Sequence, residues 1–204
     1  MGKLLFQGHG SFRIITDECV VIYVDPYAGS GYDVPADIIL VTHQHHDHNQ
    51  ISKVIRKENC QVIQNFDALQ DGKYQIFTIG DIKIEAVPAY NKNHRQSECV
   101  GYILTFDGIK LYAAGDTSTT SSMNTFSKLH LDYALLPIDG IYNMDPLEAT
   151  KCADLINARH SIPIHMKPGL LFDMDCALKF KAKTRLIVKA GEEINLEGEN
   201  HENY

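Results

Sequence analysis

Four of the chain's ten histidines lie in one hexapeptide, together with an aspartate: His43-Gln44-His45-His46-Asp47-His48. Imidazole nitrogens and carboxylate oxygens are the ligands that suit zinc and related transition metals. The alternative is a polar turn that is merely rich in histidine, but adjacent imidazoles add no stability and repel one another once protonated. We therefore interpret the hexapeptide as a metal-binding loop. The side chain of His46 is expected to point away from the predicted ligands. We assign it either to packing or to a contact that orients one of the ligands.

The segment before the hexapeptide must position it. Residues Ile38–Val41 are four consecutive apolar residues, three of them β-branched, which predicts a short strand buried on both faces. The charged loop then emerges at the end of a sheet. In extended backbone alternate side chains point the same way, so His43 and His45 are expected to converge on one point.

Three more candidate ligands follow predicted strands, each in a loop. His94 lies in the polar loop after the strand that ends near Val87, Asp116 follows the strand 109–114, and His165 comes directly after Ile162-Pro163-Ile164. A carboxylate at a strand end is often only a turn former, and a histidine after a strand is often only a surface residue. Position alone leaves the roles of these three residues open.

Periodicity and turn residues predict a chain of short strands with a few helices. The predicted strands are 3–6, 11–16, 20–24, 38–41, 61–64, 74–79, 81–87, 100–106, 109–114, 132–136, 162–164 and 186–188. The predicted helices are 50–58, 122–130, one that begins at Asp145-Pro146 with Ala149, Cys152, Ala153 and Ile156 on its buried face, and 175–183. Strand-rich segments with helices between them occur on both sides of the middle, as a two-layered sandwich requires.

Length and composition bound the class of protein. With 204 residues, 44% of them hydrophobic, the chain is long enough for one domain with its own core, which we assign to residues 1–191, followed by an acidic polar tail over 192–204. The formal net charge of −7 without a basic cluster disfavours nucleic-acid binding. No apolar run of about 18 residues exists, so no transmembrane helix is expected.

Cysteine usage and the N-terminus indicate the compartment. The five cysteines form no C-x-x-C pair and are expected to be reduced, buried small hydrophobes in a cytoplasmic protein. The first nine residues contain too few apolar residues for a signal peptide. A homo-oligomer is compatible with these features.

The pattern His43-x-His45-x-Asp47-His48 after a hydrophobic strand resembles the signature of the metallo-β-lactamase superfamily. The resemblance covers Gly8 to His165 and implies an α/β (α+β) fold, a four-layer αββα sandwich of two mixed β-sheets flanked by helices. It implies a metal site at one edge of the sheets. His43, His45 and His94 are then expected to bind one metal ion, Asp47, His48 and His165 a second, and Asp116, in a Gly-Asp-Thr context, to bridge the two.

The position of the third metal ligand departs from the family pattern. Relatives often carry the third ligand directly after Pro-Ala-x, and that position is Asn91 here, three residues before His94. Either the loop bulges to bring His94 to the metal, or Asn91 takes the place and the first metal binds weakly. We favour His94, because neutral imidazole is a far better zinc ligand than an amide.

The resemblance also implies a reaction. Two metal ions, zinc by preference although manganese and iron accept the same ligands, would lie about 3.5–4 Å apart and bind a water whose pKa falls toward 7. The resulting hydroxide attacks a small-molecule ester, lactone or phosphodiester, and Asp47 orients it or moves a proton. Candidate pocket residues in or beside the ligand loops are His9, Tyr90, Asn91, Asp139, Tyr142 and Lys167.

The Gly-His-Gly-Ser-Phe start and compact length are similar to the branch of ascorbate-6-phosphate lactonase-like and phospholipase-D-like proteins. Two alternatives to a hydrolase of small esters stay open. One is a metal-binding but catalytically silent regulatory or scaffold protein, which Asn91 in the ligand place would favour. The other is a nuclease of small nucleic acids, which requires a basic groove.

Overall fold

Two six-stranded sheets form the body of the protein in the computed structural model, which describes residues 1–198. The first sheet contains β1 (Lys3–Gly8), β2 (Ser11–Ile15), β3 (Val21–Val24), β4 (Ala36–Leu40), β5 (Arg56–Ile63) and, from the far end of the chain, β14 (Glu192–Asn195). Its strand order is β14-β1-β2-β3-β4-β5. The pairs β3–β4 and β4–β5 are parallel and the others antiparallel, so the sheet is mixed as expected.

The second sheet follows in the chain after a small hairpin, β6 (Leu69–Gln70) and β7 (Lys73–Tyr74). It contains β8 (Ile76–Ile79), β9 (Ile82–Pro88), β10 (Val100–Phe106), β11 (Ile109–Ala113), β12 (Tyr133–Pro137) and β13 (His160–Ile164), in the order β13-β12-β11-β10-β9-β8. The pairs β11–β12 and β12–β13 are parallel and the others antiparallel, so this sheet is mixed too.

The core lies between the two sheets. One apolar cluster joins Phe6 and Leu40 of the first sheet to Tyr102 and Leu104 of the second, all of them fully buried. Along β4 the side chains alternate, with Ile38 and Leu40 in this central cluster and Ile39 in a separate cluster on the outer face of the first sheet. The predicted strand buried on both faces is therefore confirmed, and so is the sandwich.

Helices cover the two outer faces unequally. The second sheet carries α2 (Pro146–Ile156), α3 (Met174–Lys179) and a 3₁₀ helix (Ser121–Leu129). Asp145 caps α2 by accepting from the backbone N–H of Glu148 at 2.7 Å, as predicted. The predicted buried face of α2 is also confirmed, with Ala149, Cys152, Ala153 and Ile156 all buried.

Residues 50–58 do not form the predicted helix. A single 3₁₀ turn (Ile51–Lys53) is followed by β5, which pairs in parallel with β4. Ile51, Val54 and Ile55 would form the apolar face of such a helix. Of these only Val54 is buried, and Ile55 is 55% exposed. One turn of apolar spacing therefore suggested a helix where pairing with β4 decides the structure, and the short α1 (Asn65–Ala68) comes only after β5.

The C-terminal segment differs from the prediction of an acidic tail beginning at residue 192. Residues Glu192–Asn195 form β14, antiparallel to β1, and Glu193 pairs with Lys3 at 3.1 Å and Arg13 at 3.2 Å. The acidic residues thus belong to an edge strand with basic partners. The predicted strand 186–188 is wrong. These residues form no strand, and an isolated bridge between Ser161 and Arg185 lies just before them. Residues 199–204 of the predicted tail lie outside the described residues.

No helix within residues 1–198 combines the length and the apolar character needed to cross a membrane. All five cysteines are free thiols, as expected. Cys99 and Cys152 are buried, but Cys19 is exposed and Cys60 and Cys176 are half-buried, so the prediction that the cysteines are buried is correct for two of the five.

Candidate metal centre

Loops at the ends of six strands meet at one edge of the sandwich. The hexapeptide follows β4, and single residues come from the loops after β1, β3, β9, β11 and β13. Three overlapping groups have ligand atoms within 4.8 Å of one another: His43, His45 and His94; His43, His48 and Asp116; and His9, Asp47, His48 and His165. The structure therefore brings together every residue that the sequence predicted as a metal ligand.

Asp116 lies at the centre of this cluster. Its Oδ2 is 3.2 Å from Nε2 of His94, 3.5 Å from Nε2 of His165 and 3.9 Å from Nε2 of His43. Its Oδ1 is 3.4 Å from Nε2 of His48. Burial alone would raise the pKa of the Asp116 carboxyl, but the surrounding histidines hold it well below its usual range. Asp116 is therefore an anion placed between four imidazoles.

Gly115 allows Asp116 to reach this position. Its φ is +64°, and a Cβ there would lie 2.9 Å from Cβ of Thr42. Any side chain at Gly115 would push the end of β11 away from the start of the hexapeptide. The glycine of the Gly-Asp-Thr sequence thus sets how closely the two ligand loops approach.

Each of four histidines has its Nδ1 beside an oxygen atom outside the cluster. Nδ1 of His48 is 2.8 Å from Oδ2 of Asp25, and Nδ1 of His165 is 2.8 Å from Oδ2 of Asp139. Because a carboxylate only accepts hydrogen bonds, Nδ1 of His48 donates to Asp25 and holds its proton, whereas Nδ1 of His165 lies close to Asp139 without an aligned hydrogen bond. The Nε2 lone pairs then face Asp116 when the rings are neutral.

The other two histidines follow the same arrangement. Nδ1 of His94 donates to the side-chain oxygen of Asn91 at 3.0 Å. Nδ1 of His43 is 3.0 Å from the hydroxyl of Thr42, whose own proton goes to Asp25 at 2.7 Å, so the hydroxyl oxygen accepts from His43. Outer oxygen atoms therefore select the same tautomer in His43, His48 and His94, and the nearby Asp139 carboxylate favours it in His165.

His45 presents the opposite ring nitrogen. Its Nδ1 lies 3.1 Å from Nε2 of His43, and its ring lies 5.0 Å from that of His94. The side chain is exposed at the mouth of the cluster, and burial together with the neighbouring His94 lowers its pKa. Ring nitrogens of His43, His45 and His94 thus converge on one point, as the sequence predicted for His43 and His45.

Several of the buried ligand atoms have no hydrogen-bond partner. These atoms are Nε2 of His48, Nε2 of His165 and Oδ1 of Asp116. Buried polar atoms in native proteins are nearly always paired, so orphans that face one another indicate a missing shared partner. A set of imidazole nitrogens and carboxylate oxygens with this geometry fits divalent transition metals.

The pKa values of the clustered histidines also indicate a site for a cation. Burial would lower the pKa of His48, but the carboxylates of Asp116 and Asp25 outweigh it and raise the value to about 9. Burial and the neighbouring His48 lower the pKa of His43 to about 2. Without a metal the cluster therefore holds at least one proton among neighbouring rings, and a bound cation would take its place.

Three of the eight described non-glycine residues with a left-handed φ angle lie in or beside the cluster. His9, Asp25 and His165 all have left-handed φ angles, between +46° and +54°, although none is glycine. Each such residue costs on the order of 1–3 kcal/mol and persists only where the surroundings hold it. His9 is held by backbone bonds on both sides: its N–H donates to the carbonyl of Leu171 and its carbonyl accepts from His165, both at 2.8 Å.

Asp47 lies at the open side of the cluster. Its Oδ2 accepts from Nε2 of His9 at 3.1 Å, and its side chain is 29% exposed. Burial would raise the pKa of its carboxyl, but the bond from His9 and the charge of His48 hold it below the usual range. Asp47 is therefore an anion in contact both with the cluster and with the cleft in front of it.

The six predicted pocket residues take different positions. Tyr142 and His9 line the clefts beside the cluster. Asn91 and Asp139 contact His94 and His165 from behind, so they support ligands and do not line either cleft. Tyr90 and Lys167 line neither cleft.

Sequence reasoning missed other residues of the site. His46, assigned to packing or support, lines both clefts and makes an edge contact with Tyr27. Asp25 and Thr42, which follow β3 and β4, received no role in the site from the sequence. The signal that identifies Asp25 is a carboxylate directly after a buried strand that neighbours β4, where strand ends of a mixed sheet meet.

Comparison with known proteins agrees with the site. A family model described as a β-lactamase superfamily domain matches residues 3–165. The chain belongs to the metallo-β-lactamase superfamily. It is 32% identical to a UPF0173 metal-dependent hydrolase of Pyrococcus furiosus and 30% identical to one of Thermococcus onnurineus, each match covering 96% of this chain and 100% of the relative.

Solved structures show the same fold. Igni18, a metallo hydrolase from Ignicoccus hospitalis, superposes with a TM-score of 0.75 at 23% identity, covering 96% of this chain and 98% of that one. As a member of the superfamily with these relatives, the chain is a metal-dependent hydrolase.

Proposed function

We propose that this protein is a dinuclear, zinc-preferring hydrolase of a small ester, lactone or phosphodiester, acting in the cytoplasm as a single hydrolase domain. The observation that carries the proposal is the arrangement of four histidines: His43, His48, His94 and His165 each place Nδ1 beside an outer oxygen atom and Nε2 toward Asp116. A purely structural cluster has no need of buried nitrogens without a partner, such as Nε2 of His48 and of His165, that face one anion.

The assignment of ligands follows from the groups that the fold brings together. His43, His45 and His94 would hold one ion, and Asp47, His48 and His165 a second, with Asp116 between them. Two divalent ions bound there would supply Lewis acidity and lower the pKa of a coordinated water toward neutrality. Nitrogen and oxygen donors suit zinc, and they also accept manganese and iron.

The protein's own side chains would orient the metal ligands and move protons. Asp25, Thr42, Asn91 and Asp139 keep the imidazoles in one tautomer and orientation, which preserves the site between turnovers. Asp47, held as an anion by His9, accepts or returns a proton at Oδ2 on the open side of the cluster. The geometry supports general-base or orienting work by Asp47.

The two other functions lose their support. The silent scaffold rested on Asn91 in the ligand place, whereas Asn91 contacts His94 from behind. The nuclease requires a basic groove, and the net charge is −7 with no lysine or arginine lining either cleft beside the cluster.

The test combines metal analysis with a substrate panel. We expect about two zinc ions per chain after reconstitution, and turnover of at least one carboxylic ester, lactone or phosphodiester that a chelator abolishes and added zinc restores. Binding of well under one ion per chain, or metal-loaded protein that hydrolyses no member of the panel, would contradict the proposal.

A further inference from the structure

Two connected clefts open beside the metal ligands. The larger, of about 550 Å³, lies directly over His45, His94 and Asp116. The smaller, of about 260 Å³, extends past His9 toward Leu170 and Leu171. Both are bordered by Asp47 and His165, so they form one continuous space with the cluster at the junction. A substrate whose scissile bond lies at the cluster therefore extends one group into each.

The clefts contain histidines but no permanently charged basic side chain. No lysine or arginine is among the residues that line either space. Lys167, which the sequence placed in the pocket, instead lies 4.0 Å from Oδ2 of Asp173. Lys53 donates to the backbone carbonyl of Tyr27, outside the cleft lining. Proteins recognise phosphate and carboxylate groups mainly with arginine or lysine, so these walls offer neither of the usual partners to an anionic group away from the metal ions.

The far wall of the smaller cleft is apolar and yet exposed. Leu170 is 43% exposed, Leu171 is 49% exposed and Tyr142, shared by both clefts, is 50% exposed. Large apolar side chains that remain accessible in a concave surface beside a reactive centre indicate a ligand surface.

This wall is held in place by the ligand loops themselves. The carbonyl of Leu171 accepts from the N–H of His9 at 2.8 Å, and the N–H of Leu170 donates to the carbonyl of Lys167 at 3.2 Å. A Cβ on Gly8 would lie only 3.0 Å from Cβ of Leu171, so glycine at this position permits the close approach. The apolar wall is thus part of the same framework that positions His9 and His165.

We infer that the substrate is a neutral ester or lactone carrying an apolar substituent of several carbons, which lies against Leu170 and Leu171. This inference rests on the proposed function and narrows it by excluding substrates that carry a phosphate or carboxylate group away from the scissile bond. Whole small-molecule sites span about 300–1,000 Å³, so the 260 Å³ cleft suits one substituent and not an entire substrate.

The test is a chain-length series on the zinc-loaded protein. Neutral γ-lactones with methyl to hexyl substituents and p-nitrophenyl esters from acetate to octanoate are compared with the anion bis(p-nitrophenyl) phosphate. Each methylene that enters the cleft should raise kcat/KM about fourfold until the cleft is filled, which is the ratio expected for about 0.8 kcal/mol per buried CH₂. The phosphodiester should be the poorest substrate.

Variants locate the substituent. The L170S and L171S variants should each reduce the rise to less than about twofold per methylene. Leu178 is a matched control, because it is 44% exposed but lines neither cleft, so the L178S variant should retain the full chain-length dependence. Binding of neutral alkyl amides to the metal-free protein, measured by calorimetry, should show the same dependence without turnover.

The possible outcomes distinguish failure of this inference from failure of the proposed hydrolase function. Turnover that is independent of chain length, or fastest with the phosphodiester, overturns the inference and leaves the proposed hydrolase in place. Equal loss of chain-length dependence in the Leu178 variant also overturns it. Absence of any metal-dependent turnover across the panel overturns both.

Discussion

Nδ1 of His94 donates to the side-chain oxygen of Asn91 at 3.0 Å, and the backbone N–H of His94 donates to the same oxygen at 3.0 Å. The two residues that the sequence left as rivals for one place are therefore partners. Asn91 closes a tight turn, and the bulge carries His94 forward until its Nε2 lies 3.2 Å from Asp116. The amide fixes the proton on Nδ1 and leaves Nε2 free for a cation.

Removing the Asn91 amide should weaken the first metal site. The N91A variant frees the ring of His94, and partners of this kind typically contribute about 10–100-fold to metal affinity. Competition with a chromophoric chelator measures the change. Asn93 supplies the control, because it also donates to the carbonyl of Tyr142 but does not contact His94. Equal affinities of the N91A and N93A variants would show that Asn91 only tethers the loop.

Asp25 should matter for both metal binding and stability. In the D25N variant the side chain keeps its size and tolerates the φ of +47°, but it loses one of the acceptors that serve His48 and Thr42. We expect zinc affinity to fall about 10–100-fold and the free energy of unfolding to fall by about 1–3 kcal/mol.

The matched control for Asp25 is Asp37, which accepts from the N–H of Val21 and from Lys57 but lies outside the cluster. The D37N variant should leave zinc affinity unchanged. Urea unfolding and metal titration together measure both effects. Loss of stability in D25N without loss of zinc affinity would restrict Asp25 to a packing role.

Truncating a proposed ligand should abolish turnover without unfolding the protein. The H45A and D116A variants each remove a proposed ligand from the cluster. We expect kcat/KM to fall by more than about a hundredfold, because even residues that only hydrogen-bond to a metal ligand contribute up to about that factor. His130 is an exposed histidine in the left-handed region outside the cluster, so H130N is the control. Circular dichroism checks the fold, and normal turnover by both alanine variants would refute the assignment.

Metal removal should lower the melting temperature. A ligand that binds only the folded state at about a hundred times its Kd adds about 2.7 kcal/mol, which for a chain of this size corresponds to about 5–10 °C. Thermal unfolding with chelator, zinc, manganese or iron measures the shift and ranks the metals. The D116A variant should show a much smaller shift, and an unchanged melting temperature with every metal would contradict a site in the cluster.

Thiol reactivity should follow burial. Burial raises the pKa of the Cys99 and Cys152 thiols to about 12, so little thiolate is present at pH 8, whereas Cys19 is exposed. Ellman's reagent should modify Cys19 in the native protein far faster than the two buried thiols, and all five cysteines after denaturation. Peptide mass spectrometry assigns the sites, and modification of Cys152 at the rate of Cys19 would contradict the packing around α2.

The sequence alone determined which residue types belong to the cluster and where in the chain they lie. His43, Asp116 and His165 each follow closely on a short apolar run, and such runs predict strand ends from local periodicity. The cap at Asp145 is likewise the consequence of a local signal. These features depend on neighbours within a few residues, so the sequence displays them directly.

The tertiary structure decided which distant groups meet. Asp25 lies beside His48, and β14 pairs with β1 across almost the whole chain, yet neither relationship leaves a periodic trace in the sequence. The predicted helix over 50–58 failed for the same reason, because pairing with β4 outweighed one turn of helical spacing. The apolar wall of Leu170 and Leu171 exists only because its loop bonds to His9.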